Sequence, residues 1–229
     1  MPIEPLLQQL NRRIDHTLLK PEAGEKDIRR LCDEAIQYNF HAVCVNPVWV
    51  NQASEWLAGS GAVVVSVAGF PLGASRTDIK VAEACASSDD GASEIDMVAQ
   101  IGFLKDGRLA EVEADIRKVR RNLPESTVLK VILEARLLTA DQMRAGLECC
   151  VSAGAQFVKT GTGFFGPCMA KDVELLSRQS AGRVQVKASG GIRTLVQARQ
   201  MLAAGAARLG TSASVTIMRE LAGSDTALE

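Results

Sequence analysis

Residues 154–161 read GAQFVKTG, a Gly-Ala pair that precedes a short apolar run. The same arrangement recurs as GAVVVSVAG at 61–69, GASEIDMVA at 91–99 and GAARLGTS at 205–212. Each pair follows a segment with helical periodicity. A glycine that ends a helix in the left-handed conformation, followed by a buried strand, explains the repeat. The chain is therefore predicted to alternate helices with strands, which indicates right-handed βαβ units and a parallel sheet.

Eight strands are predicted along the chain, with helices in the gaps between them. Their predicted positions are residues 14–17, 42–45, 62–68, 93–98, 127–133, 155–160, 184–188 and 207–210. Eight βα units that close on themselves make a (β/α)8 TIM barrel of the α/β class. We expect residues 1–229 to form one such domain, with a short helical extension at about 3–12. An open doubly wound sheet is the alternative. It needs a Gly-rich phosphate turn after the first strand, which DHTLLKPEAG at 15–24 does not offer.

Helix starts are also marked in the sequence. Thr139 with Gln142, and Thr194 with Gln197, fit the capping box, in which each side chain binds a free backbone amide at the helix start. Ser75 with Asp78 is a weaker version of the same pattern. These signals fall between the predicted strands and support the alternating order.

Composition excludes several classes of function. Lysine and arginine number 26 against 27 aspartates and glutamates, so a nucleic-acid partner or an anionic membrane gains no support. The six cysteines lack the spacing of a zinc site, and we expect neither a metal nor a cofactor. The start of the chain does not resemble a secretory signal, and no apolar run is long enough to cross a bilayer. We therefore expect a cytoplasmic protein with reduced thiols.

Two lysines stand at the ends of consecutive predicted strands, where barrel enzymes carry their chemistry. Lys159 lies in VKT and Lys187 in QVKASGG. If both point inward, each positive charge disfavours the other, so the pKa of one lysine falls. A neutral amine is a nucleophile toward carbonyls, and such a pair is a known way to prepare a Schiff-base lysine. The alternative is that both side chains extend to solvent at the barrel rim.

Several other polar residues end predicted strands. Asp96, flanked by apolar residues, is interpreted either as a proton shuttle or as half of a buried ion pair. Asp15 faces the same two alternatives, and Glu134 is expected either to contact the two lysines or to be structural. His16 is interpreted as structural, because alternation points it away from Asp15. Cys44 is taken as a small buried side chain.

The turns after the seventh and eighth strands are rich in glycine. They read KASGGIR at 187–193 and RLGTSAS at 208–214. In barrels this pair of turns often binds phosphate, because backbone amides approach the oxygens closely at glycine and a helix N-terminus favours negative charge. The candidates are Gly190, Gly191, Gly210 and Ser212. The alternative is ordinary turn chemistry, with Ser212 as a helix cap.

The chain resembles the deoxyribose-phosphate aldolase family in a series of ordered motifs. They are IDHTLLKPEA, AVCVNP, VAGFPLGAS, GASEIDMV, KVILE, FVKTGTGF, KASGGIR and RLGTSAS, and they span residues 14–214. The resemblance implies a class I aldolase on a (β/α)8 barrel that needs no metal. It also implies reversible cleavage of 2-deoxy-D-ribose 5-phosphate to D-glyceraldehyde 3-phosphate and acetaldehyde.

The resemblance also implies roles for particular residues. Lys159 matches the Schiff-base lysine, Lys187 the second lysine that perturbs it, and Asp96 the acid/base aspartate. The residues expected near the substrate are Asp15, Thr17, Cys44 and Thr160. Those expected at the phosphate are Gly163, Gly190, Gly191, Gly210 and Ser212.

The sequence departs from the family pattern at four places. Gly161 stands where KTSTGF has serine, and FGPCMA at 165–170 replaces a segment resembling STGGAT. AQIG at 99–102 replaces INIG, and Ser214 replaces the last glycine of GTSAG. None of these changes removes a proposed catalytic group.

Two other functions fit the same fold. One is a phosphosugar isomerase or epimerase, although paired lysines argue against it. The other is a non-catalytic barrel that binds a sugar phosphate. A phosphosugar is the expected small-molecule partner in each case. Trp49 and Trp56 are compatible with a homodimer interface, and packing of their helix on the barrel explains them equally well.

Overall fold

The computed structural model describes residues 7–225. Eight parallel strands close into a barrel in chain order, with the first strand hydrogen-bonded to the last. The strands are β1 Ile14–Leu18, β2 Ala42–Val45, β3 Val63–Ala68, β4 Glu94–Val98, β5 Val128–Ile132, β6 Phe157–Lys159, β7 Gln185–Ser189 and β8 Arg208–Thr211. The predicted (β/α)8 barrel is therefore confirmed, and each predicted strand is present within a few residues of its expected bounds.

Helices cover the outside of this barrel. They are α1 Glu25–Gln37, α2 Val50–Leu57, α3 Thr77–Asp89, α4 Ile101–Lys105, α5 Leu109–Asn122, α6 Ala140–Ala153, α7 Ala170–Ser180, α8 Leu195–Ala203 and α9 Ser214–Asp225. Short 3-10 helices occur at Asn11–Arg13, Pro47–Trp49 and Ala135–Leu137. The predicted extension at about 3–12 lies partly outside the described residues.

The local signals in the sequence correspond to real turns. The glycine of each Gly-Ala pair has a positive φ, from 78° at Gly61 to 108° at Gly91. Both complete capping boxes form, at Thr139 and at Thr194. The prediction of a weaker capping box at Ser75 was wrong, because the residue before α3 is Arg76, which makes no side-chain cap.

Side chains alternate along each strand between the helices and the barrel interior. The interior is divided in two. On β2 and β3 it is apolar, with Ala42, Cys44, Val65 and Val67 in one cluster. On the remaining strands it carries most of the buried charge of the protein. No helix within residues 7–225 is long and apolar enough to span a membrane.

The register places the two predicted lysines side by side. Lys159 on β6 is the direct partner of Lys187 on β7. Asp96 on β4 is likewise the partner of Lys130 on β5. Side chains of paired residues on adjacent parallel strands point the same way, so all four enter the interior of the barrel.

Candidate active site

Three ammonium groups surround the carboxylate of Asp96. Lys130 donates to Oδ1 at 2.8 Å, while Lys159 and Lys187 donate to Oδ2 at 2.8 and 2.7 Å. Asp96, Lys130 and Lys187 are completely buried, and Lys159 is 3% exposed. A buried carboxylate needs partners to offset its lost hydration, and here the three lysines supply them.

A second layer of charges lies beside this centre. Asp15 forms ion pairs with Lys187 through Oδ2 and with Arg208 through Oδ1, the latter at 2.8 Å. Glu94 accepts from Lys130 at 2.6 Å, and Arg208 lies 3.4 Å from the same oxygen of Glu94. Asp15 and Asp96 are therefore joined through Lys187, and the charges form one continuous network.

The network contains one more cation than anion. Its cations are Lys130, Lys159, Lys187 and Arg208, and its carboxylates are Asp15, Glu94 and Asp96. If Lys159 gives up its proton, the numbers of positive and negative charges become equal. Lys159 is also the one lysine of the three at Asp96 that reaches an open cavity. Geometry and charge balance therefore both distinguish Lys159 from the other two lysines at Asp96.

The charges shift the pKa values of the buried groups in consistent directions. Burial alone would raise the pKa of Asp96, but Lys130, Lys159 and Lys187 hold it well below its usual range. Burial would lower the pKa of Lys187, but Asp15 and Asp96 raise it above its usual range. Asp96 is therefore held as a carboxylate and Lys187 as an ammonium.

This geometry modifies the prediction that Lys187 acts on Lys159 directly. The two lysines are neighbours, as predicted, but the carboxylate of Asp96 lies between their nitrogens and binds both. Glu134 contacts neither lysine. Its carboxylate instead accepts hydrogen bonds from the backbone amide and the hydroxyl of Thr162. The backbone of Glu134 is left-handed, with φ 57°, and this turns the side chain toward the loop after β6.

Lys159 lies at the inner end of a cavity of about 390 Å³. The cavity opens at the carboxyl ends of the strands, between the loops that follow β1, β6, β7 and β8. Six further residues predicted to bind substrate or phosphate line it: Thr17, Gly163, Gly190, Gly191, Gly210 and Ser212. The structure thus brings the predicted phosphate turns and the predicted Schiff-base lysine to one cavity.

Thr160 was predicted to bind substrate, but its side chain does not line this cavity. Lys159 points inward, so the next residue points toward the helices. The Thr160 hydroxyl donates to the backbone carbonyl of Ser189 at 3.2 Å and accepts from the Ser189 amide at 3.1 Å. Thr160 therefore ties the ends of β6 and β7 together.

Asp15 and Cys44 lie deeper in the barrel than the cavity lining. Asp15 is fully buried in its ion pairs with Lys187 and Arg208. Cys44 is fully buried as well, and burial raises the pKa of its thiol to about 11. The thiol of Cys44 is thus uncharged at neutral pH, as expected for a small packed side chain. His16 faces outward, as predicted, and contacts Glu34 and Ser214.

Two of the cavity glycines are required by close packing. A Cβ atom on Gly210 would lie 2.9 Å from Cβ of Ser189 and 3.1 Å from Cε of Lys187. Gly190 has φ 110°, and a Cβ atom on it would lie 3.3 Å from Cα of Gly163. Gly210 therefore makes room for Lys187, a role distinct from the predicted one in phosphate binding. Ser212 does not precede a helix directly, since α9 begins at Ser214.

Sequence reasoning missed five charged residues of the site. Lys130, Glu94 and Arg208 belong to the buried network, while Lys20 and Arg193 line the cavity. The available signal was a charge inside an apolar strand, as in VLKVI at 128–132. A charge in such a strand must be paired when both faces of the sheet are covered.

The same network contains one arrangement of potential metal ligands. Among residues 7–225, Asp15, His41 and Glu94 bring donor atoms within 4.8 Å of one another. Both carboxylates are already paired with Lys130, Lys187 or Arg208, whose positive charges would repel a metal ion. These donors fit an ion-pair network better than a metal centre.

The sequence matches known proteins over almost its whole length. A family model described as DeoC/LacD family aldolase matches residues 12–214. A deoxyribose-phosphate aldolase of Deinococcus radiodurans is 50% identical over 206 residues, covering 90% of this chain and 93% of that protein. A deoxyribose-phosphate aldolase of Natranaerobius thermophilus is 47% identical over 214 residues, covering 93% and 97%.

Solved structures give the same result. A proposed deoxyribose-phosphate aldolase from Coccidioides immitis has a TM-score of 0.92 at 42% identity, with 96% of this chain and 88% of that chain covered. The tetrameric deoxyribose phosphate aldolase from Aeropyrum pernix has a TM-score of 0.85 at 33% identity, with 97% and 93% covered. The likeness in fold therefore extends over nearly the whole chain.

Proposed function

This chain belongs to the DeoC/LacD family of aldolases and is a lyase, and from that premise we propose that it cleaves 2-deoxy-D-ribose 5-phosphate reversibly through an imine on Lys159. The products would be D-glyceraldehyde 3-phosphate and acetaldehyde. The observation that carries the proposal is the position of Lys159, which bonds to Asp96 on one side and reaches the cavity on the other.

The first steps join the sugar to the enzyme. The free amine of Lys159 attacks C1 of the open-chain aldehyde and forms a carbinolamine. This intermediate takes a proton on its hydroxyl group and loses water, which leaves a positively charged imine. The carboxylate of Asp96, 2.8 Å from the lysine nitrogen, is placed to stabilise that charge. Its lowered pKa favours this electrostatic role over the storage of a proton. The sequence had left a proton shuttle and a buried ion pair as alternatives.

The carbon–carbon bond then breaks. Acetaldehyde contains C1 and C2 of the sugar, so the bond that breaks is C2–C3. A base takes the proton of the C3 hydroxyl, C3 becomes the aldehyde of glyceraldehyde 3-phosphate, and the bonding electrons move into the imine to form an enamine. The enamine takes a proton at C2, and water releases acetaldehyde and regenerates the Lys159 amine. We assign Lys187, which is held as an ammonium beside Asp96, to the path of these protons, through water.

The phosphate group would lie at the opposite end of the cavity from Lys159. The loops after β7 and β8 supply glycine backbone there, and Arg193 and Lys20 add positive charge. Binding the phosphate fixes the position of C1 against the amine, which reduces the entropic cost of the attack. The family match argues against an isomerase, and three ammonium groups on one carboxylate have no evident use in a barrel that only binds a sugar phosphate.

Trapping with borohydride tests this proposal. The protein is incubated with acetaldehyde, the imine is reduced with sodium borohydride, and the modified lysine is located by mass spectrometry. We expect one ethylated lysine, Lys159, and no adduct in Lys159→Leu. Lys171→Leu removes an exposed lysine on α7 and serves as the control. Adducts spread over surface lysines, unchanged in Lys159→Leu, would contradict the covalent mechanism.

A further inference from the structure

Glu134 lies behind the wall of the cavity and is completely buried. It occupies the connection between β5 and α6, where its backbone has φ 57° and ψ 63°. This left-handed conformation is unfavourable for glutamate, and such strain is retained where the surrounding structure or the function requires it. The position of its side chain therefore needs an explanation.

The carboxylate of Glu134 holds the loop that follows β6. Oε2 accepts from the backbone amide of Thr162 at 2.9 Å and from the Thr162 hydroxyl at 2.5 Å. The Thr162 hydroxyl in turn accepts from the backbone amide of Phe164 at 3.2 Å. Thr162, Gly163 and Phe164 all line the cavity. One buried carboxylate thus fixes three consecutive residues of the cavity wall.

The other oxygen of Glu134 is directed at Gly161. Oε1 is buried and has no hydrogen-bond partner among the described residues. A Cβ atom on Gly161 would lie only 2.6 Å from it. The absence of a side chain at position 161 therefore leaves Glu134 free to reach Thr162. This is the position where the family motif that the sequence resembles has serine.

We propose that Glu134 is a positioning residue that sets the loop 162–164, whose Gly163 packs against Gly190 in the turn after β7, for the phosphate end of the substrate. This inference rests on the proposed function. Glu134 does not line the cavity that Lys159 reaches and lies outside the charge network around Asp96. Its effect should therefore fall on the binding of the phosphate rather than on the chemistry at Lys159.

Three variants separate this role from a purely structural one. Glu134→Leu keeps the bulk of the side chain but removes both acceptors for Thr162. Glu134→Gln keeps one acceptor oxygen in place and should rescue the loop. Thr162→Val keeps its shape but loses the hydroxyl donor. We expect Glu134→Leu to raise KM for deoxyribose 5-phosphate about tenfold, with kcat changed less than about threefold. Glu134→Gln should stay within about threefold of wild type in both.

Unphosphorylated 2-deoxyribose provides the readout that a structural role would not give. Its kcat/KM should be nearly the same in wild type and Glu134→Leu, because it has no phosphate for the loop to position. An equal loss of kcat/KM for the two substrates in Glu134→Leu would overturn the proposal. An unchanged KM for deoxyribose 5-phosphate in that variant would overturn it as well. Gly161→Ala, which displaces Oε1 without offering a donor, should reproduce the effect. Gly161→Ser should show less of it, since its hydroxyl can donate to Oε1.

Calorimetry of inorganic phosphate binding tests the role of Glu134 without depending on which sugar is the substrate. Wild type should bind phosphate, Glu134→Leu about tenfold more weakly, and Glu134→Gln like wild type. These results would support Glu134 even if borohydride trapping failed on Lys159. Equal phosphate affinity in Glu134→Leu and wild type, or no measurable binding by wild type, would overturn the role of Glu134 even if the trapping succeeded.

Discussion

Lys130 donates a 2.8 Å hydrogen bond to Asp96 across the β4–β5 pair, and neither side chain reaches solvent. Lys130 also binds Glu94 at 2.6 Å, so one lysine offsets part of the negative charge of two buried carboxylates. The other two lysines at Asp96 then bind its second oxygen. The orientation of Asp96 toward Lys159 and Lys187 thus depends on a residue that has no contact with the cavity.

Lys130→Met should therefore destabilise the fold. It leaves Asp96 and Glu94 short of a cation in a buried setting, and the loss of one partner from a buried ion pair costs about 3–5 kcal/mol. The free energy of unfolding in urea is the measurement. Lys26→Met, which changes an exposed lysine on α1, should shift it by less than about 0.5 kcal/mol. Equal values for the two variants would show that Lys130 is not needed to balance the charges.

Stability should fall in acid. The pKa values of Asp15, Glu94 and Asp96 are all lower than usual in the folded protein, so the unfolded chain takes up protons first. Their contribution to stability is complete above the unfolded pKa of about 4 and is lost as the pH falls toward the folded values.

Urea unfolding at several pH values measures this effect. The part of the free energy of unfolding due to these carboxylates should be nearly constant between about pH 7 and 6 and should fall below about pH 5. Glu94→Gln should reduce that slope, whereas Asp90→Asn, at an exposed residue, should leave it unchanged. A profile that does not change down to about pH 3 would contradict the lowered pKa values.

Lys187→Leu should slow imine formation, and more so at neutral than at alkaline pH. Without the ammonium of Lys187, the carboxylate of Asp96 has one cation fewer to bind and holds Lys159 more tightly in its ion pair. Alkaline pH weakens that ion pair and restores part of the rate. The rate of borohydride-trapped adduct formation should therefore fall further below wild type at about pH 7 than at about pH 9. Equal defects at both values would show that Lys187 does not act through its charge.

Gly210→Ala should lower activity through Lys187. The added Cβ atom would meet Cε of Lys187 at 3.1 Å and Cβ of Ser189 at 2.9 Å, so one of them must move. We expect kcat to fall at least about tenfold, since displacement of Lys187 also disturbs Asp96. Gly102→Ala is the control, because its added Cβ would meet nothing within 4 Å beyond its chain neighbours and the backbone of its own helix, and alanine favours helix α4. Similar kcat values for both variants would rule out this packing effect.

The sequence was sufficient for the barrel because its signals are local. Gly-Ala pairs and capping boxes mark helix ends, and apolar runs between them mark strands, so eight strands could be counted correctly. Lys159 and Lys187 were found because each lies within two residues of the end of its strand, beside a glycine-rich turn.

Partners across the barrel could not be found this way. The pairing of Asp15 with Arg208 depends on closure of β1 against β8, which joins residues at opposite ends of the chain. Lys130 was missed because a single charge in a short strand does not show which way it points. The direction of Glu134 depends on a left-handed backbone that no glycine signals.

Ser214 is a departure from the family motif that the structure explains. Its hydroxyl lies 2.9 Å from Nδ1 of His16, and Nε2 of the same ring lies 2.8 Å from Glu34. Burial lowers the pKa of His16 although Glu34 opposes the shift, so the ring is neutral at pH 7. Nε2 then donates to Glu34, and Nδ1 is left as an acceptor that faces the Ser214 hydroxyl. That hydroxyl also donates to the backbone carbonyl of Thr211 at 3.1 Å, so its one proton serves two acceptors. Ser214 thus links the start of α9 to β1, next to Asp15.

Ser214→Ala should therefore remove a buried hydrogen-bond partner shared by Nδ1 of His16 and the backbone carbonyl of Thr211. The expected loss in the free energy of unfolding is about 1–3 kcal/mol, the cost of an unsatisfied buried polar group. Thr216→Ala, at an exposed residue on the same helix, should cost less than about 0.5 kcal/mol. Ser214→Gly restores the residue usual in the family, but it should be at least as unstable as Ser214→Ala, because glycine also disfavours the first turn of α9. A Ser214→Gly variant as stable as wild type would show that the bond to His16 contributes nothing to the fold.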